Sequence, residues 1–339
     1  MNESTAIAIT EPSQTGEARR AALALATRLG FVETERGKAG ILVTEVASNL
    51  ILHGGGGVIV LRAIAQGDAI GIEVLGLDQG AGMVNVEECL QDGFSTTGTA
   101  GNGLGAVRRL SDFFEIYSRP HQGTALLAHL WASASGPAHQ QAQPPPLALG
   151  AVAQPKPGEE VSGDAWAWQG DERRCLLLVV DGLGHGPAAA SAAAMAVEVF
   201  YEHHQQSPQR IVEAAHRALR STRGAALAIA AVNFEQQTLC FVGIGNIAAS
   251  LYSATEQHSL VSYNGTVGHE VRKIQAFTYP WYANSLLVMH SDGISTQWKL
   301  DRYPGLSQTH PSLIAGVLYR DFRRDRDDGT IVVAKGTGL

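Results

Sequence analysis

The apolar run at residues 176–180 constrains the fold of this chain more than any other feature. Five consecutive apolar residues predict a strand that is buried on both faces, and such a strand needs packed layers above and below it. Asp181-Gly182 closes the run, and glycine permits a sharp turn there. Pro187 then suits the first turn of a helix over the alanine-rich residues 188–199. The sequence therefore places Asp181 at the end of a buried strand, on a loop that leads into a helix.

Three further acidic positions stand at the edges of strand-like segments: Asp164, Asp292 and the pair Asp327-Asp328. An Asp-Gly pair marks a turn in most proteins, so a single one indicates nothing more. Four acidic positions in this order predict a cleft of carboxylates, which suits hard cations such as Mg²⁺ and Mn²⁺. Two such ions about 3.5–4 Å apart can activate water and hold a phosphoryl group.

Over about residues 148–339 the chain resembles the metal-dependent protein serine/threonine phosphatases (the PPM superfamily) of the SpoIIE/RsbX type. The resemblance implies an αββα sandwich that binds two Mn²⁺ or Mg²⁺ ions. It implies that Asp181 bridges both ions as the central catalytic carboxylate, with the Gly182 carbonyl on one of them. Asp164, Asp292 and Asp327 would hold the second ion, and the adjacent Asp328 stays an alternative to Asp327. Four motifs carry it: Ser162-Gly163-Asp164, Asp181-Gly182-Leu183-Gly184-His185-Gly186, Ser291-Asp292-Gly293 and Asp327-Asp328-Gly329-Thr330.

In the first half, a helix predicted at about residues 38–52 carries two polar residues on one face. Glu45 and Asn49 are four apart, so they project from the same side of the helix. They form either a solvated stripe or a carboxylate and an amide aimed into a cation–phosphate site. The sequence also predicts a helix at residues 17–29 and a hairpin of strands at 58–65 and 69–77.

Glycine-rich segments follow the hairpin in two places. Asp78 ends the second strand before Gly80 and Gly82, where flexible backbone lets a carboxylate meet the amino group of a base. A Gly/Ser/Thr segment then reaches Gly101-x-Gly103-Leu104-Gly105 and runs into a helix, whose free backbone N–H groups can cradle a phosphate. Either segment alone is equally typical of an ordinary turn. The second does not open a βαβ unit, which argues against a dinucleotide fold.

Together with Gly123-Thr124, these three segments resemble the ATP-site boxes of the GHKL ATPase/kinase superfamily, over about residues 15–132. Within it they look like the RsbT/RsbW-type anti-sigma serine kinases. The resemblance implies a Bergerat α/β sandwich that binds ATP and Mg²⁺. Asn49 would help to hold Mg²⁺, Glu45 would be the general base near the γ-phosphate, and Asp78 would read the adenine amino group. The remaining pocket residues implied are Gly80, Gly82, Gly101, Gly103, Leu104, Gly105 and Thr124.

A Pro/Gln/Ala-rich stretch at residues 133–147 cannot build a core and predicts a linker. We therefore expect an α+β protein with a GHKL domain at residues 1–132 and a PPM domain at 148–339. The net charge of −7 and the lack of a basic block exclude nucleic acid as an expected partner. Since no signal peptide or membrane-length apolar run is evident, we expect a cytoplasmic protein with no membrane contact.

The two resemblances together imply a bifunctional regulator of a partner-switching pathway. In it, an ATP-dependent serine kinase is fused to a phosphatase that catalyses the opposite reaction. They imply STAS-domain proteins (anti-sigma factor antagonists) as phospho-substrates, with a sigma factor or a downstream switch protein as a further partner. A homodimer is compatible with the kinase type, whereas a histidine kinase is disfavoured because the stretch before Glu45 is too short for its dimerisation helices. One alternative stays open: the first half is an ATP-sensing module that binds a STAS or sigma partner, and the phosphatase is the sole active head.

Overall fold

The computed structural model describes residues 4–90, 103–133, 146–253 and 256–337. The chain forms two compact units. Unit 1 contains Met1–Gln143 together with Gln308–Arg320, and unit 2 contains Pro144–Ser307 and Asp321–Leu339. Each unit has helices and β-sheets, which confirms the α+β class. Within the described ranges, no helix combines the length and apolar character that crossing a bilayer requires.

Unit 1 is built around a five-stranded antiparallel sheet with helices packed on both faces. Its elements are β1 (Ser4–Ile9), α1 (Pro12–Arg28), α2 (Glu33–Leu52), β2 (Gly57–Gln66), β3 (Ala69–Leu77), α3 (Val86–Cys89), α4 (Gly103–Leu110), β4 (Phe113–Ser118) and β5 (Thr124–Trp131). The strands lie in the order β1-β2-β3-β5-β4. The predicted hairpin is confirmed as β2 and β3, whereas β1 was not predicted from the sequence.

The core of unit 1 follows from the periodicity of α2. Leu42, Val46 and Leu50 recur at the spacing of one helical face and are fully buried against Ile59 and Ile72 of the sheet. Alternate residues of a strand point to opposite faces, so β3 places Ile72 and Val74 in this core and turns Glu73, Leu75 and Leu77 to the other side. The opposite face of the sheet therefore carries apolar side chains beside the buried Glu73 carboxylate, and it needs its own cover.

Unit 2 contains two β-sheets, of which one carries a pair of helices. Its elements are β6 (Leu147–Gln154), β7 (Asp164–Gly170), β8 (Arg174–Gly182), α5 (Pro187–Glu202), α6 (Pro208–Ala218), β9 (Ala225–Asn233), β10 (Thr238–Ile244), β11 (Ala248–Tyr252), β12 (Gln257–Ser259), β13 (Ser262–Tyr263), β14 (Phe277–Pro280), β15 (Leu286–His290) and β16 (Gly329–Gly336). One sheet has the order β13-β10-β9-β8-β7, with β14 also paired to β10, and the other has the order β12-β11-β15-β16-β6.

The apolar run that ends at Asp181 forms β8, and both of its faces are buried as predicted. Leu176 and Leu178 pack in the cluster that contains residues of α5 and α6. Leu177 and Val179 point to the other side, into the cluster that includes Met289 of the second sheet. This double burial explains why the strand has no polar alternation. It also fixes the register that delivers Asp181 to the strand end.

A last helix, α7 (Pro311–Phe322), packs on the second face of the unit 1 sheet through its residues up to Arg320. A Cβ placed on Gly316 would lie 2.8 Å from Leu75 Cδ2 and 2.9 Å from Leu77 Cδ2, so the helix backbone rests directly on β3. Every residue of α7 from Pro311 to Tyr319 is buried. A helix buried all round lacks the polar stripe of a surface helix, and the sequence pattern accordingly did not predict it.

Candidate nucleotide and metal sites

Asp78 ends β3 and is held by backbone groups on both sides of it. Its Oδ1 accepts hydrogen bonds from the backbone N–H of Gly80 at 2.9 Å and of Thr124 at 3.1 Å. Burial raises the pKa of Asp78, while these two hydrogen bonds act in the opposite direction. Both bonds end on Oδ1, so Oδ2 is the oxygen that can meet the amino group of a ligand.

Glycines are required where the Asp78 loop passes close to neighbouring backbone. Gly82 and Gly123 have φ angles of 65° and 71°, which side chains rarely adopt. A Cβ on Gly82 would collide with the carbonyl of Arg119, and a Cβ on Gly123 would collide with the carbonyl of Asp78. Gly80 is packed in the same way against the backbone that follows α2. The predicted glycine box therefore forms a close-packed wall around Asp78.

Glu45 and Asn49 lie half-buried on one face of α2 and point toward the start of α4. A Cβ on Gly103 would lie 3.0 Å from Asn49 Oδ1 and 3.5 Å from Glu45 Oε2. Asn49 Nδ2 is buried and has no hydrogen-bond partner among the described residues. A buried polar atom of this kind is costly unless a ligand or an ordered water satisfies it. The orphaned amide and the adjacent carboxylate fit a cation-bound phosphate.

The other predicted pocket residues lie in different surroundings and use different groups in their contacts. Leu104 packs on the core from the first turn of α4, and Gly105 beside it is buried. Thr124 uses its hydroxyl for a 2.9 Å contact with Ser118, so its backbone N–H is the group that reaches Asp78. A Cβ on Gly54, just after α2, would lie 2.6 Å from the Cβ of Asp78, which places the Asp78 loop at the end of α2. Gly101 lies outside the described residues.

Unit 2 has a cleft of about 480 Å³ whose wall carries three of the predicted aspartates. Asp181 comes from β8, Asp292 follows β15, and Asp327 precedes β16. The structure thus brings together side chains that lie far apart in sequence. His185 and Arg326 add basic groups to the same wall.

Asn246 joins two of the carboxylates in this cleft. Its Nδ2 lies 2.7 Å from Asp292 Oδ2 and 3.4 Å from Asp181 Oδ2, and it donates to both. Burial, followed by the charges of Asp292 and Asp327, raises the pKa of Asp181 to about 7. Burial and Asp327 likewise raise the pKa of Asp292. An all-oxygen set of mutually repelling carboxylates is the donor chemistry that suits Mg²⁺ or Mn²⁺.

Asp164 lies beside Asp181, because the two residues are register partners on the adjacent strands β7 and β8. The hydroxyl of Ser291 donates to Asp164 Oδ2 at 2.6 Å. Burial and the charge of Asp181 raise the pKa of Asp164 well above its usual range. Gly182 donates its N–H to the carbonyl of Gly163 at 3.0 Å, which ties the loop after Asp181 to the segment before Asp164. Asp164 therefore adjoins the cleft aspartates from a buried position.

Asp327 and Asp328 are neighbours with different surroundings. Asp328 is buried, and its two oxygens accept the backbone N–H groups of Lys156 and Gly163, each at 2.8 Å. Asp327 instead lines the cleft. The two backbone amides thus orient Asp328 toward the segment at residues 156–163, whereas Asp327 faces the cleft. This placement favours Asp327 over Asp328 as the candidate ligand.

Comparison with known proteins assigns the first half of the chain. A family model described as the histidine kinase-like ATPase domain matches residues 9–129. The serine/threonine-protein kinase RsbT of Bacillus subtilis (strain 168) is 31% identical over 131 residues, which cover 39% of this chain and 98% of RsbT. The first half belongs to the RsbT kinase family. Its GHKL-like fold, predicted from the glycine boxes, is confirmed.

The second half matches the model of stage II sporulation protein E (SpoIIE) over residues 171–335. The phosphoserine phosphatase RsbX of Bacillus subtilis (strain 168) is 26% identical over 141 residues, or 41% of this chain and 71% of RsbX. A crystal structure of RsbX in complex with magnesium is similar in fold, with a TM-score of 0.52, 20% identity, and coverage of 57% of this chain and 98% of that one. The chain is thus a fusion of an RsbT-type domain with a SpoIIE/RsbX-type phosphatase domain.

Three residues of these domains were given no role from the sequence: Asn246, Arg320 and Ser291, the last of which stands in the Ser291-Asp292-Gly293 motif. Asn246 follows Gly245 after β10, which repeats the polar-residue-and-glycine pattern of the aspartate loops and was an available signal. Ser291 donates to Asp164 and accepts the Thr330 N–H at 3.0 Å, so it organises the SpoIIE-type site from behind. Arg320 Nη1 donates to the carbonyl of Asp78 at 2.8 Å in the RsbT-type site, across 242 positions of sequence that no local pattern spans.

Proposed function

We propose that this protein is a bifunctional regulator, an ATP-dependent serine kinase and a metal-dependent protein serine/threonine phosphatase, that acts on STAS-domain proteins of a partner-switching pathway. One observation carries the proposal: a single chain contains both the Glu45–Asn49 pair facing Gly103 and the cleft of Asp181, Asp292 and Asp327. The names of the two relatives support opposite reactions on one residue type, because one is a serine/threonine kinase and the other a phosphoserine phosphatase.

In the proposed kinase reaction, the chain positions the nucleotide and accepts a proton. Asp78 Oδ2 accepts a hydrogen bond from the adenine amino group, since Oδ1 is held by Gly80 and Thr124. Asn49 would help to hold Mg²⁺, which when bound would neutralise charge at the phosphates. Glu45 takes the proton from the hydroxyl of the substrate serine as general base. Transfer of the γ-phosphoryl group to that oxygen leaves ADP and a phosphoserine.

In the proposed phosphatase reaction, the carboxylates of Asp164, Asp181, Asp292 and Asp327, together with the Gly182 carbonyl, would hold two Mn²⁺ or Mg²⁺ ions. These ions, when bound, supply the charge that activates water and neutralises the phosphoryl oxygens. Asn246 keeps the Asp292 and Asp181 carboxylates in place through its two hydrogen bonds. Arg326 adds a positive charge to the cleft wall, which favours an anionic phosphoester. No phospho-enzyme is part of this route.

The partners follow from the proposed chemistry. A STAS-domain protein would be phosphorylated by one head and dephosphorylated by the other, and a sigma factor or switch protein would respond to its state. The second head acts at a high effective concentration on a substrate that the first has bound, because one chain carries both. A cytoplasmic location and a homodimer stay predictions.

Transfer of label from ATP to a STAS partner tests the kinase head. We expect transfer by the wild type and its loss in Glu45→Gln, which keeps the side-chain shape but cannot accept the proton. Glu17→Gln, at an exposed position on α1, is the matched control and should transfer label normally. Nucleotide binding without transfer by the wild type would contradict kinase activity and support the ATP-sensing alternative.

Hydrolysis of p-nitrophenyl phosphate with Mn²⁺ tests the phosphatase head. We expect activity in the wild type that disappears on chelation and in Asp181→Asn. Asp301→Asn, at an exposed acidic position of the same unit, should keep full activity. Activity that persists in Asp181→Asn would show that the cleft aspartates are not the metal site.

A further inference from the structure

Unit 1 contains one segment from far along the chain, Gln308–Arg320, which includes most of α7. The residues predicted for the nucleotide site all lie between Glu45 and Thr124. Helix α7 is therefore an addition to the nucleotide unit that those motifs did not include. Two sets of side-chain contacts, one at each end of the segment, hold it on the sheet of unit 1.

A buried ion-pair network holds the N-terminal end of α7. Arg62, Glu73 and His129 are register partners on three adjacent strands, β2, β3 and β5. Arg62 donates to Glu73 Oε1 from Nε at 3.0 Å and from Nη2 at 2.8 Å. His129 Nε2 lies 3.2 Å from Glu73 Oε2. The hydroxyl of Ser312, in the first turn of the helix, donates to the same Oε2 at 2.6 Å, which fixes the start of α7 to the middle of the sheet.

The C-terminal end of the segment is held at the Asp78 loop of the nucleotide site. Arg320 Nη1 donates to the backbone carbonyl of Asp78 at 2.8 Å, and Gln79 Nε2 donates to the backbone carbonyl of Arg320 across 3.5 Å. Because the guanidinium carries a formal charge, the first of these bonds is charge-assisted and among the stronger kinds. Arg320 therefore holds the backbone from which the Asp78 carboxylate projects.

The charge of Arg320 also acts on the Asp78 carboxylate. Burial raises the pKa of Asp78, and the hydrogen bonds that its Oδ1 accepts act in the opposite direction. The charges of Arg320 and His53 act in the same direction as these bonds. An ionised carboxylate only accepts hydrogen bonds, whereas a protonated one can also donate. An ionised Asp78 can thus accept from the 6-amino group of adenine but has no proton to offer to the 6-oxo group of another purine.

We propose that Arg320 is a positioning residue that makes the nucleotide site of unit 1 selective for adenine. Its bond to the carbonyl of Asp78 holds the carboxylate in place, and its positive charge favours the acceptor-only form that meets an amino group. A 6-oxo purine presents an acceptor at that position, and two facing acceptors weaken binding. The inference rests on the proposed function, because it needs unit 1 to bind a nucleotide through Asp78.

The preference of the full chain for ADP over IDP tests this role. The two nucleotides differ only in the 6-amino and 6-oxo groups and the adjoining ring proton, and each is titrated by calorimetry at saturating Mg²⁺. We expect the wild type to bind ADP at least about 10-fold more tightly than IDP. In Arg320→Ala this ratio should fall by at least about fivefold, because ADP loses more affinity than IDP does. A merely structural defect would weaken both nucleotides alike and leave the ratio unchanged.

Two comparison variants make the titration specific to Arg320. Arg320→Lys keeps a positive charge and a donor at the end of α7, so it should keep the ratio within about threefold of the wild-type value. Arg28→Ala removes an exposed arginine from the last turn of α1 and should match the wild type. Urea unfolding establishes that each variant is folded. An unchanged ratio in Arg320→Ala, or an equal fall in Arg28→Ala, would overturn the inference.

Hydrogen exchange of the wild type provides a test that needs no folded variant. Because Arg320 and the Asp78 loop hold each other, saturating ADP should slow exchange of the backbone amides at residues 314–320 by about fivefold or more. IDP at saturation should slow the same amides less. Exchange at residues 314–320 that ADP leaves unchanged would overturn the inference even if Arg320→Ala does not fold.

The ADP titration of the wild type distinguishes failure of this inference from failure of the proposed function. If ADP binds and its preference over IDP does not depend on Arg320, the inference is wrong and the proposed ATP site stands. If the wild type binds neither nucleotide, both the inference and the proposed ATP site are wrong.

Discussion

Asn246 donates a hydrogen bond from Nδ2 to Asp292 Oδ2 across 2.7 Å, and this amide is the neutral partner of two cleft carboxylates. Groups that orient metal ligands are often worth about 10–100-fold in metal affinity or activity. We therefore expect Asn246→Ala to weaken Mn²⁺ binding by about 10-fold or more, measured by electron paramagnetic resonance of free Mn²⁺. Asn233→Ala removes an amide that caps an exposed turn, and it should leave Mn²⁺ binding unchanged. Equal Mn²⁺ affinity in Asn246→Ala and wild type would refute the role of Asn246.

Asp327 and Asp328 should respond oppositely to the same substitution. Asp328→Asn loses an acceptor for a buried backbone amide of Lys156 or Gly163, so we expect the free energy of unfolding to fall by about 1–3 kcal/mol. Asp327→Asn should leave unfolding in urea nearly unchanged without metal but weaken Mn²⁺ binding. The two measurements on each variant form the test. A stable Asp328→Asn protein that has lost Mn²⁺ would reverse the assignment.

The Glu73 carboxylate should make the stability of unit 1 depend on pH. Burial opposes ionisation of this carboxylate, but Arg62, His129 and His310 more than offset it and lower the pKa of Glu73 from its ordinary value of 4.5. Because the folded pKa is the lower one, the stabilisation is complete above about pH 4.5 and is lost as pH falls below it. Glu73→Gln removes the carboxylate charge that faces the buried Arg62 guanidinium, which should cost about 3 kcal/mol at pH 7.

The difference between wild type and Glu73→Gln should therefore shrink when urea unfolding is repeated at pH 4 and pH 3. Glu17→Gln, on the surface of α1, should match the wild type throughout. If the difference in the free energy of unfolding between wild type and Glu73→Gln stays constant from pH 7 to pH 3, the charge of the Glu73 carboxylate is not what stabilises its contacts with Arg62 and His129.

Alanine substitutions at Gly123 and Gly67 distinguish the effect of backbone strain from the effect of a steric collision. Both have positive φ, at 71° and 58°, so alanine costs about 1 kcal/mol or more at either position. A Cβ on Gly67 meets nothing within 4 Å, whereas a Cβ on Gly123 collides with the carbonyl of Asp78. We expect Gly67→Ala to retain ADP binding and Gly123→Ala to lose it by at least about 10-fold in a fluorescence titration. Equal ADP affinities in the two variants would mean that the Asp78 loop does not shape the pocket.

Much of the secondary structure could be read from local patterns. The uninterrupted run before Asp181 predicted a strand buried on both faces, and β8 has Leu176 and Leu177 in different cores. The spacing of Glu45 and Asn49 predicted one helix face, and Gly103 does lie against both side chains. Strand β1 and helix α7 escaped prediction. The burial of α7 depends on a sheet nearly 240 residues earlier, to which Ser312 is hydrogen-bonded across 239 positions.

The sequence by itself determined which kinds of side chain stand at the strand and helix ends, because periodicity, glycine and proline act over a few residues. Only the tertiary structure decided between Asp327 and Asp328, since the choice depends on the backbone amides of Lys156 and Gly163, which lie far back in the chain. The roles of Asn246 and Arg320 were decided in the same way. Their partners are set by which loops the packed sheets bring together, and a hydrogen bond between distant segments leaves no periodic trace in the sequence.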